Sequence, residues 1–162
     1  MKFNKYAKLH YEWVDEMGWH GTPIMALIAL IGSEIGEAAY EALNPIQDSN
    51  NMGEELADIC LRIMDLLYSH NVDIDNKVVE VSPTITWVSQ SLEGDFLELM
   101  SDFRHVVNSA RHETLEDDFY NYLGVILCRV IDITSRNNID LEKTLKTKIE
   151  KNKVRGNKGR KI

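Results

Sequence analysis

Several residue types that would support other architectures are scarce in this chain. Cysteine occurs twice among 162 residues, at Cys60 and Cys128. Both lie in apolar helical patterns, where free thiols pack as small hydrophobes. No disulfide framework or paired-cysteine metal motif can be built from them. Proline occurs three times, at 23, 45 and 83, each where an element should begin or end. Long apolar runs are missing too. The uninterrupted stretch Ile24–Ile31 is far too short to cross a bilayer, and no signal-peptide pattern opens the chain. A cytoplasmic location without a membrane partner is expected. Positive charge is in deficit, with 18 Lys and Arg against 26 Asp and Glu for a net −8. That balance argues against nucleic acid as a partner.

What remains is an ordinary globular composition, 44% apolar and 27% charged, long enough for one domain with a real core. Its charge is unevenly placed. Residues 143–162 carry seven Lys, two Arg and one Glu, so this basic tail is about +8 against about −16 for the rest. Such a tail is either a solvated end or a phosphate clamp.

Helical periodicity runs through nearly the whole chain. A first helix is expected over about 3–17, ending near Gly18. Thr22 and Pro23 read as N-cap and first residue of a second helix reaching about Leu43. Its stripe Ile24, Ile28, Ile31, Ile35, Ala38, Ala42 repeats at helical spacing. The stretch 44–51 is dense in turn formers and predicts a helical hairpin. Further helices are expected at about 52–70, 95–111, 115–136 and 140–153. The segment 78–93 would also fit strands, but short helix and connection is the favoured reading. The fold class expected is all-α.

Two acidic clusters stand out, Glu34-x-x-Glu37 and Glu55-x-x-Asp58. Spacing of i, i+3 puts both acids of each pair on one helix face. Across the hairpin, Glu37 and Glu34 lie roughly 9 and 14 Å below the end of one arm, by the ~1.5 Å rise per residue. Glu55 and Asp58 lie roughly 6 and 10 Å along the other by the same rise. The four can therefore converge. Acidic residues on helices usually form a solvated face, yet the first pair interrupts a very apolar helix, where like charges are costly unless neutralised. Oxygen ligands of this kind suit Mg²⁺ or Mn²⁺, two or three ions at four carboxylates, and hence phosphate chemistry. Glu41 and Glu54 flank the set as supporting or solvated residues.

A shift of 67 residues lays Arg62-Ile-Met-Asp65 on Arg129-Val-Ile-Asp132, and Asn71-Val-Asp-Ile-Asp75 on Asn138-Ile-Asp-Leu-Glu142. This reads as a tandem duplication, with an intact first unit over about 1–80 and a degenerate second over about 81–155. The acids are not duplicated, since Glu55 falls on Tyr122 and Asp58 on Val125.

Ser33-Glu34-Ile35-Gly36-Glu37 followed by Glu54-Glu55-Leu56-Ala57-Asp58, with 17 residues between Glu37 and Glu55, resembles the ExxE…ExxD signature of the MazG-like all-α nucleoside triphosphate pyrophosphohydrolases. That superfamily includes dCTP pyrophosphatases and dimeric dUTPases. The likeness runs from Leu9-His10-Tyr11-Glu12-Trp13 to Asn71-Val72-Asp73-Ile74, nearly the first half of the chain. It implies Mg²⁺-dependent hydrolysis of a (d)NTP to monophosphate and diphosphate. Glu34, Glu37, Glu55 and Asp58 would be metal ligands, with Glu37 or Glu55 also orienting or deprotonating the water. The family's basic K-x-x-x-N-x-x-R motif is matched by Lys148, Asn152 and Arg155, whose i, i+4, i+7 spacing could present all three to phosphate oxygens. Many relatives are short chains that assemble as dimers. Here two units look fused, so one site per chain is expected, with a homo-oligomer (dimer or tetramer) as the assembly.

Trp19 and His20 are the candidates to meet base and sugar. Trp13, Trp87 and Tyr40 read as core or interface residues, and the five histidines form no ligand-spaced cluster. The alternative is a non-catalytic helical module of the same fold that binds nucleotide without turnover.

Overall fold

A computed structural model describes residues 1–44, 49–87, 89–111 and 115–156, without the side chains of Ser49 and Asn50. The expected turn at 45–48, His112 and the last residues of the basic tail lie outside them. The described chain is all-α and contains no strand. Its elements are α1 (Phe3–Glu16), α2 (Ile24–Leu43), α3 (Ser49–Ser69), α4 (Ile74–Val81) with a single 3₁₀ turn at Ser82–Thr84, α5 (Leu92–Ser109), α6 (Asp117–Arg136) and α7 (Leu141–Arg155). Within the ambiguous stretch 78–93, the described residues are the end of α4, a 3₁₀ turn, a connection and the first two residues of α5, so short helix and connection, as favoured from the sequence, is what they form. No described helix is long and apolar enough to cross a membrane.

Helix ends follow local chemistry. Gly18, at φ 72°, closes α1 in the left-handed backbone that glycine tolerates without steric cost. The expected Thr22 cap is not formed, and Pro23 is itself the N-cap of α2. Its extended ψ of 144° lets its carbonyl accept from the amides of Ala26 and Leu27 at 2.9 and 3.1 Å. The Thr22 hydroxyl instead donates to the Trp19 carbonyl at 2.9 Å, tightening the turn after α1.

Helix α3 is the centre of the molecule. Leu56, Ile59, Ile63, Met64, Leu66 and Leu67 are wholly or almost wholly buried, each contributing about 1.5–3 kcal/mol. Packing is reciprocal: α2 lies on α3 and α5 on α6, α2 meets α5, and α3 meets α6. The last helix of each trio then crosses over, α4 onto α6 and α7 onto α3, while α1 packs mainly against α3. Gly124 permits one crossing, since a Cβ there would stand 3.0 Å from Lys77 Cγ and 3.3 Å from Val81 Cγ2.

The connections α3–α4 and α6–α7 match in detail. Asn71 and Asn138 take φ of 58° and 56°. Asp73 accepts from the Asn76 amide at 3.1 Å, and Asp140 from the Lys143 amide at 3.0 Å. Each side-chain cap satisfies an otherwise orphaned helix donor. Both cysteines are buried free thiols, as expected.

Candidate metal and phosphate site

One polar stripe runs along the largely buried α3, formed by Glu55, Asp58, Arg62 and Asp65 at helical spacing. Its members meet three different parts of the fold. Glu55 faces the acids of α2, Arg62 reaches Glu34 on α2, Asp58 meets Lys148 on α7, and Asp65 meets His20 in the α1–α2 turn.

Three of the four expected ligands converge. Glu34, Glu37 and Glu55 each offer an oxygen lying within 4.8 Å of the others. Two oxygens on one octahedral Mg²⁺ at about 2.1 Å stand about 3.0 Å apart when adjacent and about 4.2 Å when opposite, so the trio would draw inward to hold such an ion. The donor chemistry also fits, being carboxylate oxygen alone. Glu34 is buried and accepts from Arg62 Nε and Nη2, both at 3.2 Å and both on Oε1. Glu37 is exposed and accepts from the Ser33 hydroxyl at 3.1 Å. An open groove of about 280 Å³, lined by Ser33, Gly36, Glu37, Tyr40, Glu41 and Glu55, adjoins this trio.

Asp58 stands outside the trio. Its carboxylate pairs with Lys148 Nζ at 2.7 Å, and the same ammonium lies 3.6 Å from Glu54. Glu54 also forms a short ion pair with Lys151. Beside Asp58 opens a second, smaller cavity of about 80 Å³, lined by His10, Trp13, Trp19 and Arg62 together with Lys148, Asn152 and Arg155. That volume is room for a phosphate group or several waters, at roughly 10–15 Å³ per water-sized sphere.

The charges are held away from their ordinary states. Burial pushes the carboxyls of Glu34, Asp58 and Glu55 upward. The Asp58 charge adds to the effect at Glu34, while Arg62 opposes it there and Lys148 opposes it at Asp58 and Glu55. Burial alone would lower Lys148, but its hydrogen bond and charge pairing with Asp58, joined by Glu55 and Glu54, leave it raised. Like charges crowded in low dielectric favour the arrival of a cation.

The basic motif Lys148, Asn152, Arg155 and the aromatic Trp19 therefore share one cavity with Asp58, although they come from opposite ends of the chain. His20 is not among them. Its ring bridges Asp15 at 3.1 Å and Asp65 at 3.3 Å and stacks on Tyr11, so it ties the turn bearing Trp19 to α1 and α3. Trp13 is buried, but Tyr40 and Trp87 are exposed and do not belong to the core. Glu41 accepts from Asn51 at 3.4 Å.

Sequence reasoning passed over Arg62 and His10. The charged i, i+4 neighbour Asp58-x-x-x-Arg62 was a signal for the first. For His10 there was none, because an isolated histidine on a helix carries no spacing code.

Compared with protein-family models, curated proteins and solved structures, the chain matches none of them, and its chemistry is read from its own residues.

Proposed function

We propose that this protein is a MazG-like nucleoside triphosphate pyrophosphohydrolase, converting a (d)NTP and water to the (d)NMP and diphosphate, with deoxynucleotides the expected substrates. The observation that supports it most is the adjacency of two unlike groups. The carboxylate trio Glu34, Glu37, Glu55 is joined through Asp58 to a cavity bearing Lys148, Asn152 and Arg155. Acids for a hard cation and bases for phosphate lie side by side, which is what a polyphosphate with its cations requires.

Two or three bound Mg²⁺ or Mn²⁺ ions would supply Lewis acidity and a lowered pKa for a coordinated water. Glu34, Glu37, Glu55 and Asp58 are the residues to hold them. Glu37, oriented by Ser33, or Glu55 receives the proton as water oxygen attacks the α-phosphorus and the bond to the departing diphosphate breaks. Lys148, Asn152 and Arg155 steady phosphate oxygens. Trp19, beside His10 and Trp13, offers an aromatic face to the base, and His20 serves by anchoring that turn.

The duplication belongs to the same reading. Matching helix order, matching Asn turns and reciprocal crossing of α4 and α7 support two fused units. Tyr122 and Val125 stand where Glu55 and Asp58 would repeat, so one site per chain follows, within a homo-oligomer.

The second reading, a nucleotide-binding module without turnover, is favoured by the grip of Lys148 on Asp58. Incubation with a panel of dNTPs and NTPs plus Mg²⁺ or Mn²⁺ separates the two. Diphosphate with monophosphate is expected from at least one nucleotide. No product from any would favour the binding module, and inorganic phosphate with nucleoside diphosphate would indicate a different reaction.

A further inference from the structure

We propose that Lys148 gates the metal site: its ammonium occupies Asp58 until a substrate phosphate draws it away, and only then does Asp58 accept a divalent cation. This rests on the pyrophosphohydrolase reading and adds an order of events to it.

Lys148 stands at the junction of two environments. Its Nζ lies 2.7 Å from Asp58 and 3.6 Å from Glu54, yet the same residue lines the cavity with Asn152, Arg155 and Arg62. Both partners are largely withdrawn from solvent, with side chains 16% and 19% exposed. An ammonium at hydrogen-bond distance and a divalent cation cannot share one carboxylate oxygen in such a place, because like charges at that separation repel with little water to screen them. Of the four expected ligands, Asp58 is the one outside the converged set. The difference divides the site. Glu34, Glu37 and Glu55 offer a position for a first ion, while a second position needs Asp58 and therefore needs Lys148 elsewhere.

Where Lys148 can go is limited by its neighbours. Glu54 already pairs with Lys151, so it is a poor exchange partner. A phosphate oxygen in the cavity is a better one, meeting Lys148, Asn152 and Arg155 from a single face of α7. Binding of phosphate and of the second cation is then coupled, and by linkage each strengthens the other. The register of the two half-chains sharpens the argument. At the 67-residue shift Asp58 corresponds to Val125 and Lys148 to Val81. Where α4 crosses α6, the counterpart of α7 on α3, the acid and the cation are therefore absent together, as expected of two residues serving one device.

The test is Mn²⁺ binding to the full chain without nucleotide, followed by electron paramagnetic resonance of the free ion. Wild type is expected to bind one Mn²⁺ in the accessible concentration range. Lys148→Met is expected to bind a second, or to bind overall at least tenfold more tightly. Lys148→Arg keeps a cation on Asp58 and should titrate like wild type. The double variant Lys148→Met/Asp58→Asn should return to one ion, which ties the gain to Asp58. Circular dichroism and melting confirm that each variant is folded; should Lys148→Met not fold, Lys148→Gln takes its place in the same titration. A Lys148→Met (or Lys148→Gln) titration equal to or weaker than wild type overturns the gate, as does a gain that persists in the double variant. Diphosphate release by wild type is measured separately. An active enzyme with an unchanged Lys148→Met titration loses only the gate, and an inactive protein with the expected titrations loses only the hydrolase.

Discussion

Asn71 and Asn138 adopt the same left-handed backbone, φ 58° and 56°, and are the only described non-glycine residues with positive φ. They lie 67 positions apart. Each ends a helix in the same way, with Val72 donating to the Leu67 carbonyl at 3.0 Å and Ile139 to the Thr134 carbonyl at 2.9 Å. Asparagine suits this place because its short polar side chain tolerates the left-handed region better than other non-glycine residues do.

Equivalent turns should respond equivalently to substitution. Asn71→Ala and Asn138→Ala are each expected to lower stability by up to about 1–2 kcal/mol, because alanine meets in full the left-handed cost that asparagine's polar side chain partly offsets. Asn→Gly at either position should be neutral or slightly stabilising. Urea denaturation of the four variants checks this, and a pair of alanine values differing by more than twofold would count against two matched turns.

The same turns explain what could be seen in advance. Helices and their order were legible because apolar spacing encodes the face each helix buries, and the Asn-x-Asp turns because left-handed closure and N-capping demand particular residues. Cap details were less legible. Pro23 displaces Thr22 from the cap through backbone geometry that residue type alone does not announce. Within the site, the nearness of Glu34, Glu37 and Glu55 followed from helical rise on a hairpin. The capture of Asp58 by Lys148 did not, since it depends on α7 crossing back onto α3 from 90 residues downstream. Tyr40 and Trp87 read as core or interface residues; they lie on outward faces, which removes the core half of that reading and which only the assembled bundle defines.

If the acids serve catalysis, their removal should separate activity from folding. Glu37→Gln is exposed and should leave the melting temperature within about 2 °C of wild type, as expected for a surface change within about 0.5 kcal/mol. Its kcat for diphosphate release should fall by roughly 10²-fold or more, the scale of losing one strong electrostatic or proton-transfer contribution. Asp58→Asn should lose activity comparably while remaining folded. Undiminished Mg²⁺-dependent turnover in both would remove these residues from the ligand set.

His10 predicts a pH dependence of folding. It is buried, its Nδ1 has no hydrogen-bond partner, and burial, with the charges of Arg62 and His20, lowers its pKa to about 3. Above pH 6.5 the ring is neutral in both folded and unfolded chains and contributes no slope. Below 6.5 the unfolded chain takes up a proton that the folded one refuses, so stability falls as pH drops towards about 3, by at most about 1.4 kcal/mol per pH unit. Glu34, Glu55, Asp58 and Asp65 are raised, first by burial, and act in the opposite sense below their folded pKa values. Comparing wild type with His10→Leu by urea denaturation at pH 5, 6 and 7 isolates the histidine. The variant should show the shallower decline on acidification, and parallel curves would mean that His10 protonates in the folded state.

Arg62 and Glu34 form the interhelical pair that makes the α2–α3 contact compatible with a buried carboxylate. Arg62→Met removes the two donors from Glu34 Oε1 and keeps most of the side chain's apolar length. Burial then acts on Glu34 with its opposing cation gone. The loss at pH 7 should be about 1–3 kcal/mol, the cost of leaving a buried polar group unsatisfied. A raised folded pKa penalises the folded state at neutral pH and releases it as pH falls through that value, so Arg62→Met should recover part of its stability on acidification towards pH 5. Adding Glu34→Gln takes the charge away, and the double variant should be more stable at pH 7 than Arg62→Met alone. Strict additivity of the two substitutions, with no recovery at low pH, would show that the pair has no energetic coupling and that Glu34 is neutralised by something else.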